Sequence, residues 1–268
     1  MSDNHNILII DDEQVVLHAV SRIASAEGLS VDCENNAKSA LQKLGQKKYS
    51  LVLCDIMMPE MDGFMFLEEL HKRNYSTPVI MITGFSTVEN AVCSLYNGAI
   101  DFVPKPFTFE ELKSSISRGL KFYSIQQKIQ NEKFRKDKGT IVFVSGPPKY
   151  FRLGNLSWMN LEPEGIAVIG AADLYLETIE KLINLELMEV DEIIIQGESC
   201  ANFLTDDELT HHFLSPISGR IIERNEKIFT DIDLIEKDPY FEGWIYKVIP
   251  SNIEYEMKKL VPFASDRM

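Results

Sequence analysis

Cysteine is scarce in this chain, and its placement excludes two common uses of the residue. The sequence of 268 residues holds four cysteines, at Cys33, Cys54, Cys93 and Cys200, with no paired spacing among them. Disulfide frameworks and zinc sites both draw on closely spaced cysteines, so we expect neither. So few unpaired thiols are typical of a protein that works in a reducing compartment.

Long apolar runs are also missing. No stretch approaches the roughly 20 apolar residues that a membrane-spanning helix needs. The opening residues, MSDNH, have neither the basic stretch nor the apolar core of a secretory signal. We therefore expect no membrane insertion and a cytoplasmic location.

Basic side chains are depleted in the second half of the chain. Residues 139–268 carry 11 basic and 23 acidic side chains, a net charge of −12, whereas residues 1–138 carry −2. Affinity for DNA comes largely from Lys and Arg that neutralise phosphates. This charge, without any helix-turn-helix pattern, argues against DNA binding. A solvated acidic surface is the simpler explanation of the charge.

Carboxylates follow two short apolar runs in the first half. Leu51–Cys54 ends at Asp55, and Ile7–Ile10 ends at the pair Asp11 and Asp12. Runs of this kind are typical of buried parallel strands, whose carboxyl ends meet at one edge of the sheet. Three carboxylates there would repel one another unless a cation such as Mg²⁺ joined them. By itself the acidic pair could also be a helix N-cap.

Two further strand ends add a hydroxyl and an ammonium group. Residues 78–82 lead into Thr83, and residues 99–103 lead into Lys105. Such groups can bind the oxygens of a phosphoryl group. Asp55 is then a candidate nucleophile that forms an aspartyl phosphate.

Residues 1–120 resemble a response-regulator receiver domain, the phosphoacceptor part of a two-component system. The resemblance rests on the acidic pair, on Asp55 followed by MMPEMDG at 57–63, and on the Thr83-Gly84 and Lys105-Pro106 pairs, in that order. It implies a sensor histidine kinase as partner. The implied Mg²⁺ ligands are Asp11, Asp12, Asp55 and the backbone carbonyl of Met57, and the implied phosphate-binding and switch residues are Thr83, Phe102 and Lys105.

The hydrophobic periodicity of the first half predicts an α/β fold. Strands alternate with five helices, which we place at 13–26, 36–44, 64–73, 87–96 and after Thr108, with Ser86 as the cap of the fourth. The resemblance implies a flavodoxin-like, doubly wound parallel sheet of five strands in the order 2-1-3-4-5.

A helical pattern continues past the expected end of this domain. Leu112, Ile116 and Leu120 recur at helical spacing, and Phe122, Ile125 and Ile129 extend the pattern. We therefore assign residues 121–138 to a connector helix. It could form a short coiled coil between two protomers, giving a homodimer, or pack against its own second domain.

The sequence pattern of residues 139–268 predicts a mostly β domain. We expect strands at Thr140–Val144, 166–169, 192–195, 220–223 and 244–249, with helices only at Leu174–Leu185 and 253–260. Three segments resemble the H protein of the glycine cleavage system, namely GIAVIG at 165–170, LSPISG at 214–219 and DPYFEGW at 238–244. The resemblance covers about residues 148–260 and implies a barrel-sandwich hybrid fold.

One departure from that family removes its chemistry. The H protein carries lipoate on a Lys three residues after the Glu of a Glu-Ser pair, and in this chain that position is Ala201, after Glu198-Ser199. No Lys occurs from residue 190 to 219, so we expect no lipoate. The neighbouring Cys200 has no positive residue nearby to activate it. His211 and His212 would point to opposite faces of a strand, which disfavours a metal site.

Together these features predict a phosphorylation-switched response regulator with a non-lipoylated H-protein-like interaction domain, whose protein partner is not identified. We expect no enzymatic activity beyond Mg²⁺-dependent phosphoryl transfer to its own Asp55 and autodephosphorylation. The alternative is a receiver-regulated carrier or enzyme component. Transcription control through DNA is a third hypothesis, and the acidic second half disfavours it.

Overall fold

The computed structural model describes residues 6–135, 147 and 149–263, which fall into two compact units. The first unit comprises the residues up to 86 and those from 97 to 140. The second comprises residues 87–96 and those from 141 onward. The fourth helix of the chain therefore groups with the second unit. The predicted domain boundaries, at residues 120 and 138, place the same helix in the first domain.

The first unit contains the predicted parallel sheet. Its five strands are β1 (Asn6–Ile10), β2 (Ser30–Glu34), β3 (Leu51–Asp55), β4 (Val79–Thr83) and β5 (Asp101–Pro104). Their order is β2-β1-β3-β4-β5, and each neighbouring pair is parallel. The predicted fold class and strand order are confirmed.

Five helices follow the strands, close to the predicted positions. They are α1 (Gln14–Ala26), α2 (Ala37–Gln46), α3 (Gly63–Lys72), α4 (Val88–Tyr96) and α5 (Phe109–Arg135). Side chains cap α2 and α3, because Asn36 accepts the N–H of Ser39 and Asp62 that of Met65. The prediction that Ser86 caps α4 is wrong: Thr87 Oγ1 accepts the N–H of Asn90 at 3.2 Å.

Side chains that alternate along each strand pack on opposite faces of this sheet. One apolar cluster joins Leu8, Val52 and Met81 to residues of α2 and α3 such as Leu41 and Phe66. On the other face α1 and α5 contact one another. Helix and sheet come close at Gly119, where an added Cβ would lie 2.7 Å from Leu51 Cδ1.

Helix α5 continues well past the sheet, as its periodicity predicts. It is 27 residues long. Its start is fixed by a reciprocal cap, in which Thr108 Oγ1 accepts the N–H of Glu111 and the Glu111 carboxylate accepts the N–H of Thr108. The predicted end of the connector at residue 138 lies outside the described residues. Within the described part of the chain, no helix is long and apolar enough to cross a membrane.

The second unit is built from two antiparallel sheets, which confirms the mostly β prediction. The strands are β6 (Phe151–Leu153), β7 (Ser157–Leu161), β8 (Ala167–Ala171), β9 (Leu182–Leu187), β10 (Ile193–Ile194), β11 (Ser199–Thr205), β12 (Thr210–Leu214), β13 (Gly219–Arg224), β14 (Tyr246–Pro250) and β15 (Val261–Pro262). The larger sheet has the order β10-β13-β14-β8-β7-β6-β15, and the smaller has the order β12-β11-β9.

Helices in the rest of the second unit are short. They are α6 (Asp173–Glu177), α7 (Lys227–Thr230), α8 (Leu234–Lys237) and α9 (Ile253–Glu256), and a 3-10 turn at Met257–Lys259 follows α9. The predicted helix Leu174–Leu185 is wrong beyond residue 177. Its second part is strand β9, which pairs with β11, so strand pairing overrides the helical spacing of the leucines. The predicted strand Thr140–Val144 lies outside the described residues.

The core of the second unit lies between its sheets. One buried cluster takes Ile169 and Val248 from the larger sheet and Phe203 and Phe213 from the smaller. The rings of Phe203 and Phe213 are stacked at a centroid distance of 5.5 Å. The same cluster includes apolar side chains of α4.

Candidate functional site

The parallel sheet brings three acidic side chains to one edge. Asp11 follows the last residue of β1 and Asp55 is the last residue of β3, two strands that pair directly. Asp11, Asp12 and Asp55 each offer a carboxylate oxygen, and these oxygens all lie within 4.8 Å of one another. Asp11 and Asp55 are only 2% and 4% exposed, whereas Asp12 is exposed. Two carboxylates of the cluster are thus buried, and the third, Asp12, is exposed to solvent.

Lys105 brings a cation to the same place from the end of β5. Its Nζ donates a hydrogen bond to Asp11 Oδ2 at 2.7 Å and lies 3.3 Å from Asp55 Oδ1. Glu13 is a further, more distant partner at 3.6 Å. The backbone N–H of Lys105 donates to the carbonyl of Thr83 at 2.8 Å, which ties the ends of β4 and β5 together.

Burial dominates the electrostatics of the buried pair of carboxyls. It raises the pKa of both Asp55 and Asp11 above the ordinary value. The charge of Lys105 opposes this shift at Asp55, and its hydrogen bond does so at Asp11. Burial acts to lower the pKa of Lys105 itself, but the hydrogen bonds and charges of Asp11 and Asp55 together outweigh it and raise that pKa.

The donor set at this edge fits a divalent cation. All three side chains supply hard carboxylate oxygens, which Mg²⁺ prefers, and they converge without any histidine or thiol ligand among them. The exposed Asp12 leaves one side of the cluster accessible to solvent.

The remaining predicted residues lie around the carboxylates. The N–H of Met57 donates to Asp55 Oδ2 at 3.1 Å, while the Met57 side chain is 50% exposed. Thr83 is fully buried, and its Oγ1 accepts the N–H of Phe85 at 3.2 Å. Phe102 is half-buried and packs against the core cluster of the first unit. Their roles in phosphate binding and switching stay predictions.

Sequence reasoning missed the part that Gly63 plays at this site. An added Cβ at Gly63 would lie 2.5 Å from the Asp55 carbonyl oxygen and 2.5 Å from Met81 Cε. The Gly63 N–H also donates to the carbonyl of Ile56 at 2.9 Å. The Asp62-Gly63 pair therefore does more than start α3, because it lets the helix approach the strand that ends in Asp55. No signal in the sequence shows this role, because it depends on how closely the backbones of α3 and β3 approach.

Ala201, at the position that the resemblance assigns to the lipoyl lysine, lies in the interior of a sheet. It is in β11, the middle strand of the smaller sheet, and pairs with Phe213 on one side and Leu187 on the other. It is 5% exposed. Strands β11 and β12 form an antiparallel hairpin, and its turn lies farther along the chain, where Asp206, Asp207 and Glu208 are exposed.

The side chains beside Ala201 offer little reactivity. Cys200 is 2% exposed, and burial raises the pKa of its thiol, so the thiolate that reacts is suppressed. His211 is 1% exposed and His212 is exposed, which agrees with opposite faces of one strand. Among the described residues, the acid cluster of the first unit is the one group of potential metal ligands that comes together.

Comparison with known families identifies both parts of the chain. The response regulator receiver domain matches residues 7–117, and the glycine cleavage H-protein matches residues 149–265. Residues 7–117 thus form a response regulator receiver domain, which contains the parallel sheet and its acidic edge. Residues 149–265 are similar to the glycine cleavage H-protein, and Ala201 stands there at the position that the resemblance assigns to the lipoyl lysine.

Individual relatives match one part of the chain at a time. The Regulatory protein AtoC of Escherichia coli is 38% identical over 131 residues, which are 49% of this chain and 28% of that protein. A receiver domain protein from Methanospirillum hungatei is 33% identical, with 46% of this chain and 98% of that chain covered and a TM-score of 0.43. A glycine cleavage system H protein from Mycobacterium marinum is 28% identical, with 39% and 86% covered and a TM-score of 0.37. This chain thus spans under a third of the length of AtoC.

Proposed function

We propose that this chain is a response regulator of a two-component system, which accepts a phosphoryl group on Asp55 from a sensor histidine kinase. The observation that carries the proposal is the convergence of Asp55 with Asp11, Asp12 and Lys105 at one sheet edge. The homology of residues 7–117 to receiver domains supports it.

Asp55 is the proposed nucleophile. One of its carboxylate oxygens attacks the phosphorus of the donor phosphohistidine, the P–N bond breaks, and the imidazole keeps the electron pair of that bond. The product is an acyl phosphate on Asp55. Autodephosphorylation is the attack of water on the same phosphorus atom, which returns Asp55 and inorganic phosphate.

The cluster would hold Mg²⁺ through Asp11, Asp12, Asp55 and the backbone carbonyl of Met57. A bound Mg²⁺ would offset the negative charge that the phosphoryl oxygens bring to a site already rich in carboxylates. Asp11 and Asp55 are buried, and Lys105 supplies only one positive charge to the two carboxylates. We therefore expect the phosphoryl transfer to depend on the divalent ion.

Lys105 and Thr83 are the proposed contacts to the phosphoryl oxygens. The Lys105 ammonium already lies 3.3 Å from Asp55 Oδ1, so a short shift brings it to a group bound there. Thr83 would turn its hydroxyl to the same group and give up the hydrogen bond that it accepts from Phe85 N–H. Phe102 has no hydroxyl and would respond through packing alone.

The second domain is proposed to be a protein-binding output module without carrier chemistry. No Lys occurs from residue 190 to 219, and Ala201 is buried within the hairpin. Its net charge of −12 over residues 139–268 makes DNA a poor ligand. We propose an unidentified protein partner for it, and α5 is the element through which two protomers could pair.

The match of residues 149–265 to the H protein keeps one alternative open, a receiver-regulated carrier or enzyme component. The missing lysine and the buried hairpin position disfavour lipoylation of this chain. A lipoyl group on the purified protein, found by mass spectrometry, would favour the alternative.

Intact mass measurement tests the proposed function. The full chain is treated with acetyl phosphate, with and without Mg²⁺, and compared with Asp55→Asn. We expect a single phosphoryl adduct of about 80 Da on the wild type, only with Mg²⁺, and none on the variant. An adduct that persists on Asp55→Asn would overturn the assignment.

A further inference from the structure

Strand β10 forms one end of the larger sheet of the second unit. It pairs with β13 on one side, and no other strand of the described residues lies on its opposite side. The carbonyl of Glu192 accepts the N–H of Ile221 in β13 at 3.0 Å. Because backbone groups alternate in direction along an antiparallel strand, the N–H and C=O of the next residue, Ile193, point away from β13. This side of β10 can therefore pair with one more strand.

Exposed isoleucines occupy the outward positions of this edge. Burial alternates along the segment, because Ile193 and Ile195 are exposed whereas Ile194 and Gln196 are buried. The outward positions of an edge strand usually carry charged side chains, which discourage pairing with another chain. At β10 both positions carry an aliphatic side chain, and Ile193 is 58% exposed. The side chains at this edge therefore leave it open to strand pairing.

The apolar surface continues from β10 onto the two neighbouring strands. Ile193 lies opposite Arg220 of β13, and Arg220 lies opposite Ile249 of β14. Directly opposed residues of antiparallel strands point to the same face of a sheet, so the stem of Arg220 lies between the two isoleucines. Both isoleucines are exposed. Together with Ile195 they form one patch, and an exposed apolar patch is typical of an interaction surface.

The charge around this patch is negative. No Lys or Arg occurs from residue 190 to 219, and Asp191, Glu192 and Glu198 lie on either side of the isoleucines in the sequence. Asp191 pairs with Arg220 at 2.6 Å, whereas Glu192 and Glu198 are exposed and make no ion pair within the described part of the chain. Like charge disfavours nucleic acid, an anionic lipid surface or a second copy of this chain at the edge. A positively charged partner complements it.

We propose that the outward edge of β10 binds an extended segment of a partner protein in which aliphatic residues alternate with Lys or Arg; this rests on the proposed role of the second domain as a protein-binding module. The segment adds a strand to the larger sheet through hydrogen bonds with the backbone of Ile193. Its aliphatic side chains pack beside Ile193 and Ile195. Its basic side chains pair with Glu192 and Glu198, and this pairing selects a cationic segment over a neutral one.

The two kinds of contact differ in what they contribute to binding. Ion pairs at an exposed rim add little affinity, but they speed association and weaken as salt is added. Backbone hydrogen bonds and the burial of aliphatic side chains supply most of the affinity and depend little on salt. The complex should therefore lose part of its affinity at high ionic strength and keep the rest.

Titration of the full chain with synthetic peptides tests the chemistry of the occupant. The probe is a short fluorescein-labelled peptide of alternating Lys and Val, and fluorescence anisotropy measures its affinity. One control peptide carries Glu in place of Lys, and another has the same composition with all Lys before all Val. We expect both controls to bind at least about tenfold more weakly than the alternating peptide. Equal affinities of the alternating and the block peptide would overturn the proposal, because charge alone would then explain the binding.

A matched pair of variants tests the location. Ile193→Thr removes the apolar contact and keeps a β-branched side chain that suits a strand. Ile183→Thr is the control, because Ile183 is 53% exposed and lies in β9, the strand at one end of the smaller sheet. We expect the alternating peptide to bind at least about fivefold more weakly to Ile193→Thr and unchanged to Ile183→Thr. Equal affinities of the two variants would overturn the proposal.

A second variant tests the charge at the edge. Glu192→Gln keeps an oxygen that can accept the N–H of Glu189 and removes the negative charge. We expect this variant to lose part of the salt dependence of peptide binding. A chain that forms dimers without peptide, and becomes monomeric as Ile193→Thr in analytical ultracentrifugation, would overturn the proposal by assigning the edge to a second copy.

Hydrogen exchange of the full chain locates the bound peptide. We expect amides of residues 192–196 to exchange at least about fivefold more slowly with the alternating peptide, and amides of residues 182–187 to be unchanged. Intact mass after treatment with acetyl phosphate and Mg²⁺ is measured on the same protein. A phosphoryl adduct without protection of 192–196 overturns the β10 proposal alone. Protection of 192–196 without an adduct supports the β10 site and overturns the phosphoacceptor assignment.

Discussion

Lys105 Nζ donates a 2.7 Å hydrogen bond to Asp11 Oδ2. Asp11 follows β1, the neighbour of the strand that carries Asp55, and Lys105 follows β5, which lies beyond β4 on the other side of that strand. The ammonium is 12% exposed and the carboxylate 2% exposed, so solvent screens their attraction only weakly. Lys105 therefore holds the acidic edge together while no metal is bound.

Removing the Lys105 charge should destabilise the metal-free protein and slow phosphorylation. Lys105→Met leaves two buried carboxyls without a cation, and we expect a loss of about 3 kcal/mol in the free energy of unfolding. Urea unfolding without Mg²⁺ measures the change. The control is Lys43→Met, because Lys43 pairs with Glu34 in a more exposed place and should cost less than about 1 kcal/mol. Equal losses in both variants would contradict the assignment.

The stabilising effect of Mg²⁺ should depend on pH. Burial raises the pKa of Asp11 and Asp55, so the stability that their protonation contributes is full below about 3.8 and is lost as the pH rises through the raised pKa values. Mg²⁺ needs the ionised carboxylates. We therefore expect a larger Mg²⁺-induced rise in melting temperature at pH 7.5 than at pH 5. A rise of the same size at both pH values would contradict this account, and Asp55→Asn should show a smaller rise throughout.

Gly63→Ala should disturb the phosphoacceptor strand. The new methyl would lie 2.5 Å from the Asp55 carbonyl oxygen, so α3 must shift, and we expect a loss of about 1–3 kcal/mol. Gly84→Ala is the matched control, since nothing lies within 4 Å of its Cβ position. Thermal denaturation of both variants measures the difference. Two similarly stable variants would show that the approach of α3 to β3 is loose.

The hydroxyl of Thr83, and not only its volume, should contribute to phosphate binding. Thr83→Ser keeps the hydroxyl and should retain the wild-type amount of Asp55 adduct. Thr83→Ala removes one proposed contact to the phosphoryl oxygens, so we expect it to lose at least about half of the adduct at the same acetyl phosphate concentration, as measured by intact mass. Equal adduct amounts in the Ala and Ser variants would exclude the hydroxyl from phosphate binding.

A lysine at the family position should not restore lipoylation. Ala201→Lys buries an ammonium between Phe213 and Leu187, so we expect a loss of about 3 kcal/mol and no lipoyl adduct after incubation with a lipoate ligase, lipoate and ATP. Asp206→Lys, at the exposed turn of the same hairpin, should leave the fold intact. Intact mass and melting temperature report both effects. Efficient lipoylation at position 201 would show that the hairpin opens readily.

The first unit could be predicted almost completely from the sequence, since its strands are short apolar runs that end in polar residues. Burial on both faces of a parallel sheet leaves little ambiguity in runs such as 51–55. The acidic cluster follows from that sheet, because topology alone brings Asp11 and Asp55 to the same edge. The sequence pattern does not show the role of Gly63, because that role depends on the distance between the backbones of α3 and β3.

The second unit was harder to predict because its strands are short and partly exposed. Residues 182–187 carry leucines at spacings that suit a helix, and only pairing with β11 makes them a strand. Strand β11 itself also went unrecognised, so the burial of Ala201 could not be foreseen. Helix α4 groups with this unit, where Val92 and Leu95 lie near Gly197 and Gly154, and these residues are distant in sequence and leave no periodic signal.

The central claim is that Asp55 carries the phosphoryl group, and chemical trapping tests it most directly. Borohydride reduces an aspartyl phosphate to homoserine, which peptide mass mapping locates to a single residue. After phosphorylation with acetyl phosphate and Mg²⁺, we predict homoserine at position 55 and at no other acid, with none in Asp55→Asn. Homoserine at Asp11 or Asp12, or an unreduced Asp55 in a protein that bears the adduct, would contradict the account.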